Sequence, residues 1–488
     1  MKAKQGCWTC KRRKIGCDRA LPVCNNCSRT ERKCLGYGIR LLWPDRHDGR
    51  RKDAGIVVYD PSANARASPE QYGQHFLNFT YDDVSSAGEG RQSKAVIRRP
   101  PPRSLELHAP MIDGDAMFMS YYEKVLAPMI STTQVRNGFR TALLPMVLSG
   151  DDSSSKALWN SMMAVSAFHL SGIEAAFKYK TNAIRHLSAS LSSPASASSA
   201  DVSETQLAAS MMLCIYNVFD ETEGNWTLHL DGAKHMLSKV YRNHQQRTQG
   251  DFFFTWFLYH EVLACFTQPH RVDYGWLDFV FLDEPSDLNV TLILGPLGCS
   301  LEIMAIIQRL NTLRDKLILK QADATSPSML DQRAELEHRL VHLVQCIDPD
   351  GEAFETPARR SRILITAELY RLGALLYLLH VCPIPGDNDL QTAYLEQAFA
   401  VFDSLKVVTS PWPVFIIACS CEEDEQRIKI MQTLDLMNTV RNIGNIRVMR
   451  HIIEICWKLH DLHSGSNSAR EMRFWDFINY ETAVPWFI

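Results

Sequence analysis

Six cysteines within the first 34 residues constrain this 488-residue chain more than any other feature. Cys7, Cys10, Cys17, Cys24, Cys27 and Cys34 read C-x2-C-x6-C, six further residues, then C-x2-C-x6-C again. With 14 cysteines in the whole chain, five more at fixed offsets from a given one arise by chance with a probability of order ~10⁻⁸. The spacing is therefore a ligand geometry, duplicated in register. A C-x2-C pair sets two thiolates close enough to share one tetrahedral zinc, with sulfur about 2.3 Å from the metal. Six thiolates cannot close two separate tetrahedra, so two zincs require two bridging sulfurs. A disulfide framework is the competing reading of an even, closely spaced set. No apolar signal segment precedes Cys7, which weighs against it.

The run Lys11-Arg12-Arg13-Lys14 follows Cys10 inside the first loop. Arg and Lys donate to guanine O6 and N7 and neutralise phosphates, whereas the same run standing alone reads as a solvated face or an import signal. Charge is distributed unevenly. Residues 1–52 hold 15 Lys and Arg against 4 Asp and Glu, a net of +11, which leaves −14 for the rest of a chain whose total is −3. A basic head on an acidic body suits a head that docks on polyanion and a body that stays off it.

The stretch from Gln5 to Gly38 closely resembles the fungal binuclear zinc cluster family of transcription factors, in which two zinc ions share six cysteines. The resemblance implies that Cys7, Cys10, Cys17 and Cys24 hold one zinc and Cys7, Cys24, Cys27 and Cys34 the other, with Cys7 and Cys24 bridging. Pro22 matches the family's loop proline. By the same resemblance a short helix carries the basic run into the DNA major groove, with Lys14 as the base reader for CGG-type triplets and Lys11, Arg12 and Arg13 mainly on phosphate. Gly16 stands where many relatives carry another basic residue, so one phosphate contact is expected to be missing. The aromatic and basic tail Leu35 to Pro44 also resembles the family.

From Asp45 the composition turns to Arg, Asp, Gly, Ser and Pro and ends in Arg98-Arg99-Pro100-Pro101-Pro102-Arg103. This reads as a flexible tether over residues 45–109, with a short strand at Ile56 to Tyr59 as the one regular element the pattern allows. No a/d heptads occur between Cys34 and Pro110, although some relatives set their dimer spacing with a coiled coil there.

Helical periodicity dominates residues 110–488. Leu207, Met211, Cys214 and Val218 share a face, as do Leu158, Met162 and Val165, and Ile446, Met449 and Ile453. A Ser/Ala-rich loop is expected from Ser188 to Ser203 and a second after Ala322. Two stretches, Trp226 to Ala233 and Pro411 to Cys419, resemble the W-x2-HL-x-GA and P-x-W-P-x-F-I-x-A-C patterns of the fungal-specific transcription factor domain. There Gly232 and Ala233 would allow close helix approach and Trp226 would fill the gap, with His229 a core histidine rather than a ligand. The acidic run 422–425 reads as a helix N-terminus ahead of an activation patch. The remaining eight cysteines read as reduced core thiols.

No apolar run approaches the roughly 18 residues that span a bilayer, the longest being Leu372 to Val381. No H-E-x-x-H, G-x-S-x-G, P-loop or dinucleotide-binding pattern occurs, and His260-Glu261 lacks a second His three residues on. The expectation is therefore all-α: a binuclear zinc cluster over residues 1–44, a linker over 45–109 and a multi-helix regulatory domain over 110–488. The chain is expected to be no enzyme but a nuclear regulator of RNA polymerase II promoters, holding two zinc ions and binding double-stranded DNA. Its further partners would be the transcription machinery or co-regulators and a second copy through the helical domain, with no membrane. The alternative is a regulator recruited mainly through the helical domain, whose cluster only adds affinity for DNA.

Overall fold

The computed structural model describes residues 6–20, 23–30, 32–34, 113–134, 136–192, 203–220, 226–240, 251–269, 271, 289–321, 326–349, 355–463, 473–478 and 487. The chain divides into two compact units, Met1–Pro102 and Arg103–Ile488. The tether over 45–109, its Ile56 to Tyr59 strand, its lack of heptads and the Leu35 to Pro44 tail all lie outside the described residues.

In the first unit, helices Trp8–Arg12 (α1) and Asn25–Arg29 (α2) are single turns, and each begins at a cysteine. Cys7 Sγ accepts from the N–H of Cys10 at 3.4 Å and Cys24 Sγ from that of Cys27 at 3.3 Å. The four cysteines Cys7, Cys10, Cys24 and Cys27 are fully buried and form the unit's core, with Cys17 and Cys34 packed against it.

The second unit is a stack of helices. No strand occurs among its described residues, which contain only the isolated bridges Leu292 to Cys346 and Ile293 to Ser300. The early helices are Asp113–Tyr121 (α3), then through a π-turn Ala127–Ile130 (α4), Gly138–Thr141 (α5), Leu143–Ser149 (α6), Ser153–Ser171 (α7), Ile173–Leu191 (α8), Glu204–Phe219 (α9) and Trp226–Val240 (α10). They enclose one apolar core together with Phe253, Trp256 and Phe257 of Phe252–Thr267 (α11). The later helices are Leu301–Ile318 (α12), Pro327–His342 (α13), Pro357–Val381 (α14), Asp387–Ser404 (α15), Pro411–Cys419 (α16), Asp424–Arg441 (α17), Gly444–His463 (α18) and Phe474–Ile478 (α19). These enclose a second core together with Tyr259, Val262 and Phe266 of α11. Helix α11 is thus apolar on all sides because it faces a core on each.

All three periodic faces read from the sequence are buried. The Ser/Ala-rich loop begins later than expected: Ser188 to Leu191 still belong to α8, since Ala and Ser extend a helix whose Leu187 is already packed. Ser203 then caps α9 through a reciprocal bond pair with Gln206, and residues 193–202 lie outside the described set, as do 322–325. The acidic run does open a helix, with Asp424 and Glu425 in the first turn of α17.

One expectation is corrected. Helix α14 is long and apolar enough to cross a membrane by length and composition, with a mean hydropathy of 1.3 over its best window. That window is 72% buried against the chain's own helices, and the charged pair Glu368 and Arg371, which interrupts the run, closes on itself at 2.6 Å. The helix is the centre of the second core.

Gly232, read as a close-approach residue, has room: a Cβ there would meet Ser210 Oγ at 3.6 Å. The tight approach is instead Gly373 of α14, where a Cβ would stand 3.2 Å from Pro413 Cα and from the Trp412 ring. Gly373→Val should therefore lower the melting temperature, at a cost of about 1–3 kcal/mol from overpacking against backbone. Gly232→Ala should leave it level or raise it, because Ala exceeds Gly by about 1 kcal/mol inside a helix. Thermal denaturation followed by circular dichroism reads both.

Candidate metal centre and nucleic-acid interface

The six cysteine sulfurs converge in two overlapping groups of four. Cys7, Cys10, Cys17 and Cys24 form one and Cys7, Cys24, Cys27 and Cys34 the other, with all Sγ atoms of a group within 4.8 Å of one another. A tetrahedron with 2.3 Å metal–sulfur bonds has edges of about 3.8 Å. Sulfur pairs are found at 3.5 Å (Cys7 to Cys24), 3.8 Å (Cys7 to Cys27) and 3.7 Å (Cys10 to Cys24). The donor set thus fits two tetrahedral thiophilic cations that share the Cys7 and Cys24 sulfurs. Such a cation, when bound, supplies the charge that lets six sulfurs pack as thiolates. Burial alone pushes the Cys7, Cys10, Cys24 and Cys27 thiols up from their ordinary value. Burial raises Cys17 too, but backbone N–H groups of Cys7 and Arg19 outweigh it and draw that thiol down to about 7.

The two halves repeat in three dimensions at the 17-residue sequence offset. Ile15 N–H donates to Cys10 O at 3.1 Å and Arg32 N–H to Cys27 O at 3.0 Å, so each turn of helix closes the same way. Two contacts that spacing did not reveal join the halves. Thr9 Oγ1 donates to Lys33 O at 3.0 Å, and the Asp18 carboxylate accepts from the N–H groups of Asn25 and Asn26 at 3.1 and 3.4 Å. Those N–H bonds, Asn25 first, hold the Asp18 carboxyl below its ordinary value. A lone Asp between cysteines carries no sequence signal for this role.

The basic run straddles the end of α1 instead of lying within it. Lys11 and Arg12 form its last turn, Arg13 is the C-cap, and Lys14 follows in the left-handed region at φ 54°. With Lys14 N–H bonded to Lys11 O, the turn is a Schellman closure whose left-handed position ordinarily holds glycine. All four basic residues are exposed, and Lys11 Nζ lies 4.6 Å from the centre of the Trp8 ring. At the duplicated positions 28–31 the sequence is Ser-Arg-Thr-Glu, so the two halves differ in charge there.

In the helical unit, Trp226 is buried as read, whereas His229 is only half-buried. The Glu261 carboxylate is fully buried between Lys234 at 3.0 Å and Arg271 at 3.2 Å. Of the other cysteines, Cys346 is exposed, against the core reading, and Cys419 is half-buried.

A thiolate-held dinuclear centre with an exposed basic turn, on a chain whose larger unit is wholly helical in its described part, defines a metal-dependent DNA-binding regulator. The chain belongs to the fungal specific transcription factor family: the profile of that domain matches residues 117–484, and that of the fungal Zn(2)-Cys(6) binuclear cluster domain matches residues 5–44. It is a transcription regulator that holds two zinc ions. Transcription factor iacI of Pestalotiopsis fici is 24% identical over 359 residues, 71% of this chain and 85% of that protein. Arginine metabolism regulation protein II of Saccharomyces cerevisiae is 45% identical over 102 residues, 20% of this chain and 12% of its own. Transcriptional regulatory protein moc3 of Schizosaccharomyces pombe is 53% identical over 36 residues, 7% of each chain. No solved structure matches.

Shared and unshared sulfurs should behave differently. Cys34→Ala removes one member of a single group, so native mass spectrometry should find one zinc retained. Cys7→Ala or Cys24→Ala strips both groups, and both zincs should be lost together with the cluster's fold, because the cysteines are that unit's core.

Proposed function

We propose that the six N-terminal cysteines are the zinc ligands, Cys7 and Cys24 bridging, and that the chain reads CGG-type triplets in the major groove. Lys14 is the base reader, and Lys11, Arg12 and Arg13 are phosphate contacts. The observation that carries this reading is the backbone of Lys14. A left-handed non-glycine residue costs about 1 kcal/mol or more, and this one sits exposed at a helix end where glycine would close the turn at no such cost. Arg19, Lys320 and Asn442 share this backbone, so it supports a role for Lys14 only together with its place in the exposed basic run beside the cysteines. The duplicated position holds Glu31, so the run of four cations belongs to the first loop alone. The place of action is the nucleus, at RNA polymerase II promoters.

A second copy is the partner we assign to the helical unit. The outer side of α8 carries Phe177, Ile184 and Leu191, spaced by seven and 67%, 43% and 44% exposed. A seven-residue apolar seam is self-complementary across a two-fold axis. Dimerisation through this unit leaves the clusters free to accept variable spacing between half-sites. Phe177→Glu should convert a dimer to a monomer in light scattering without lowering helicity. A wild type that is monomeric at every concentration overturns this assignment.

The DNA reading is tested with substitutions on a randomised site library. Lys14→Gly suits the backbone, so zinc content should be unchanged while affinity for CGG-containing sites falls by about 1–3 kcal/mol and sequence preference relaxes. Arg12→Ala should weaken all sequences alike and flatten the salt slope by about one unit. A Cβ at Gly16 meets nothing within 4 Å, so Gly16→Arg should steepen that slope by a similar amount. If Lys14→Gly leaves occupancy unchanged, the helical unit recruits the protein and the cluster only tethers it.

A further inference from the structure

Among the described residues of the helical unit three arginines are buried, and Arg314 and Arg333, like the half-buried Arg271, come with a carboxylate, whereas Arg441 does not. Arg314 meets Asp315 at 2.7 Å, Arg333 meets Asp387 at 2.7 Å, and Arg271 meets Glu261 at 3.2 Å. Arg441, the last residue of α17, is only 8% exposed, and no carboxylate among the described residues pairs with it. Its guanidinium donates to the carbonyls of Thr409 and Met129, and its Nε has no partner. Neutral carbonyls satisfy donors without supplying a counter-charge, and a buried cation without one is costly. Burial pulls the guanidinium below its ordinary value, while the nearby Tyr259 and Tyr370 hydroxyls offset part of that.

Arg441 lines a cavity of about 60 Å³ where the two apolar cores meet. Around the guanidinium stand Tyr259 and Tyr370, whose hydroxyls bond one another at 2.9 Å, and Ser410. The lining also includes Ile215 and Val218 of α9 and a second cation, Arg362. Burial pushes the Tyr259 hydroxyl up to about 12 and Tyr370 further, so both stay protonated; one proton closes the bond between them and the other is left to donate. At about 10–15 Å³ per water-sized occupant, the cavity holds roughly four to six heavy atoms.

We propose that this cavity binds a short-chain monocarboxylate of two to four carbons, its carboxylate on the Arg441 guanidinium and its alkyl end against Ile215 and Val218. The guanidinium fork fits a planar carboxylate, the one tyrosine proton not spent between Tyr259 and Tyr370 adds a donor, and the apolar residues favour an alkyl end over a hydrated inorganic anion. The size admits acetate, propionate and butyrate. Because the lining comes from both cores, occupancy ties them together and stabilises the fold. The site lies in the helical unit and stands whether or not Lys14 reads DNA.

The test is thermal denaturation of the full zinc-loaded chain in a buffer free of chloride and other carboxylates, titrated with acetate, propionate or butyrate. Butyramide, chloride and inorganic phosphate are the controls. The expected result is a saturable rise in melting temperature with the carboxylates alone, weakened at least about tenfold in apparent affinity by Arg441→Gln. Val218→Leu narrows the apolar end and should penalise butyrate more than acetate. If Arg441→Gln does not fold, Tyr370→Phe removes one donor at constant shape and should weaken all three carboxylates several-fold. The proposal is overturned by a flat titration, by an Arg441→Gln response equal to wild type, by butyramide matching butyrate, or by chloride or phosphate binding as tightly as the carboxylates.

Discussion

The helical unit depends on how a carboxylate is neutralised inside the helix that both of its cores share. Helix α11 faces a core on each side, yet Glu261 at its middle is fully buried. A buried carboxylate is tolerated only with charge and hydrogen bonds supplied, and Lys234 from α10 and Arg271 just beyond α11 provide them at 3.0 and 3.2 Å. This triad fixes the rotation of α11 about its axis. With that rotation set, Trp256 and Phe257 point into the first core and Tyr259 and Phe266 into the second. Arg314 reinforces the second core, bonding the carbonyls of Cys265 and Phe266 at the end of the same helix.

The zinc cluster solves the opposite problem. So short a unit has too little apolar surface to offset its chain entropy, and its buried core is four cysteines. Metal bonds take the place of a hydrophobic core, so folding and metal binding are one event. The basic turn that follows inherits its rigidity from Cys10, whose carbonyl closes the turn through Ile15. Stability comes from the cation, so the loop sequence is free to carry four consecutive positive residues.

The two units divide the work by charge as well as by fold. The basic excess sits in the cluster end of the chain and the acidic excess in the remainder, so long-range attraction to a polyanion brings the cluster in first. Within the helical unit the surface pairs are mostly local or single, as in Arg427 with Asp461 at 2.8 Å, and contribute little individually. Its organisation rests on apolar packing around α11 and α14.

The cysteine cluster, the basic run and the helical class were legible in the sequence, because each is written in local spacing. A C-x2-C pair, four adjacent cations and a 3.6-residue apolar period are readable without knowing what lies across the fold. The buried periodic faces on α7, α9 and α18 followed from that alone. Tertiary structure decided the rest. The length of α8 through Ser188 to Leu191 depended on packing that a Ser/Ala-rich composition does not show. The close approach fell at Gly373 and not at Gly232 because Pro413, 40 residues away, rests on it. The left-handed backbone of Lys14 came from hydrogen bonds that close a helix, not from a residue type that favours the conformation. The cavity beside Arg441 draws on Met129, Ile215, Tyr259, Tyr370 and Ser410. No periodicity links residues separated by about three hundred positions, and an arginine among helix-forming neighbours carries no sign that its counter-charge is missing until the fold buries it.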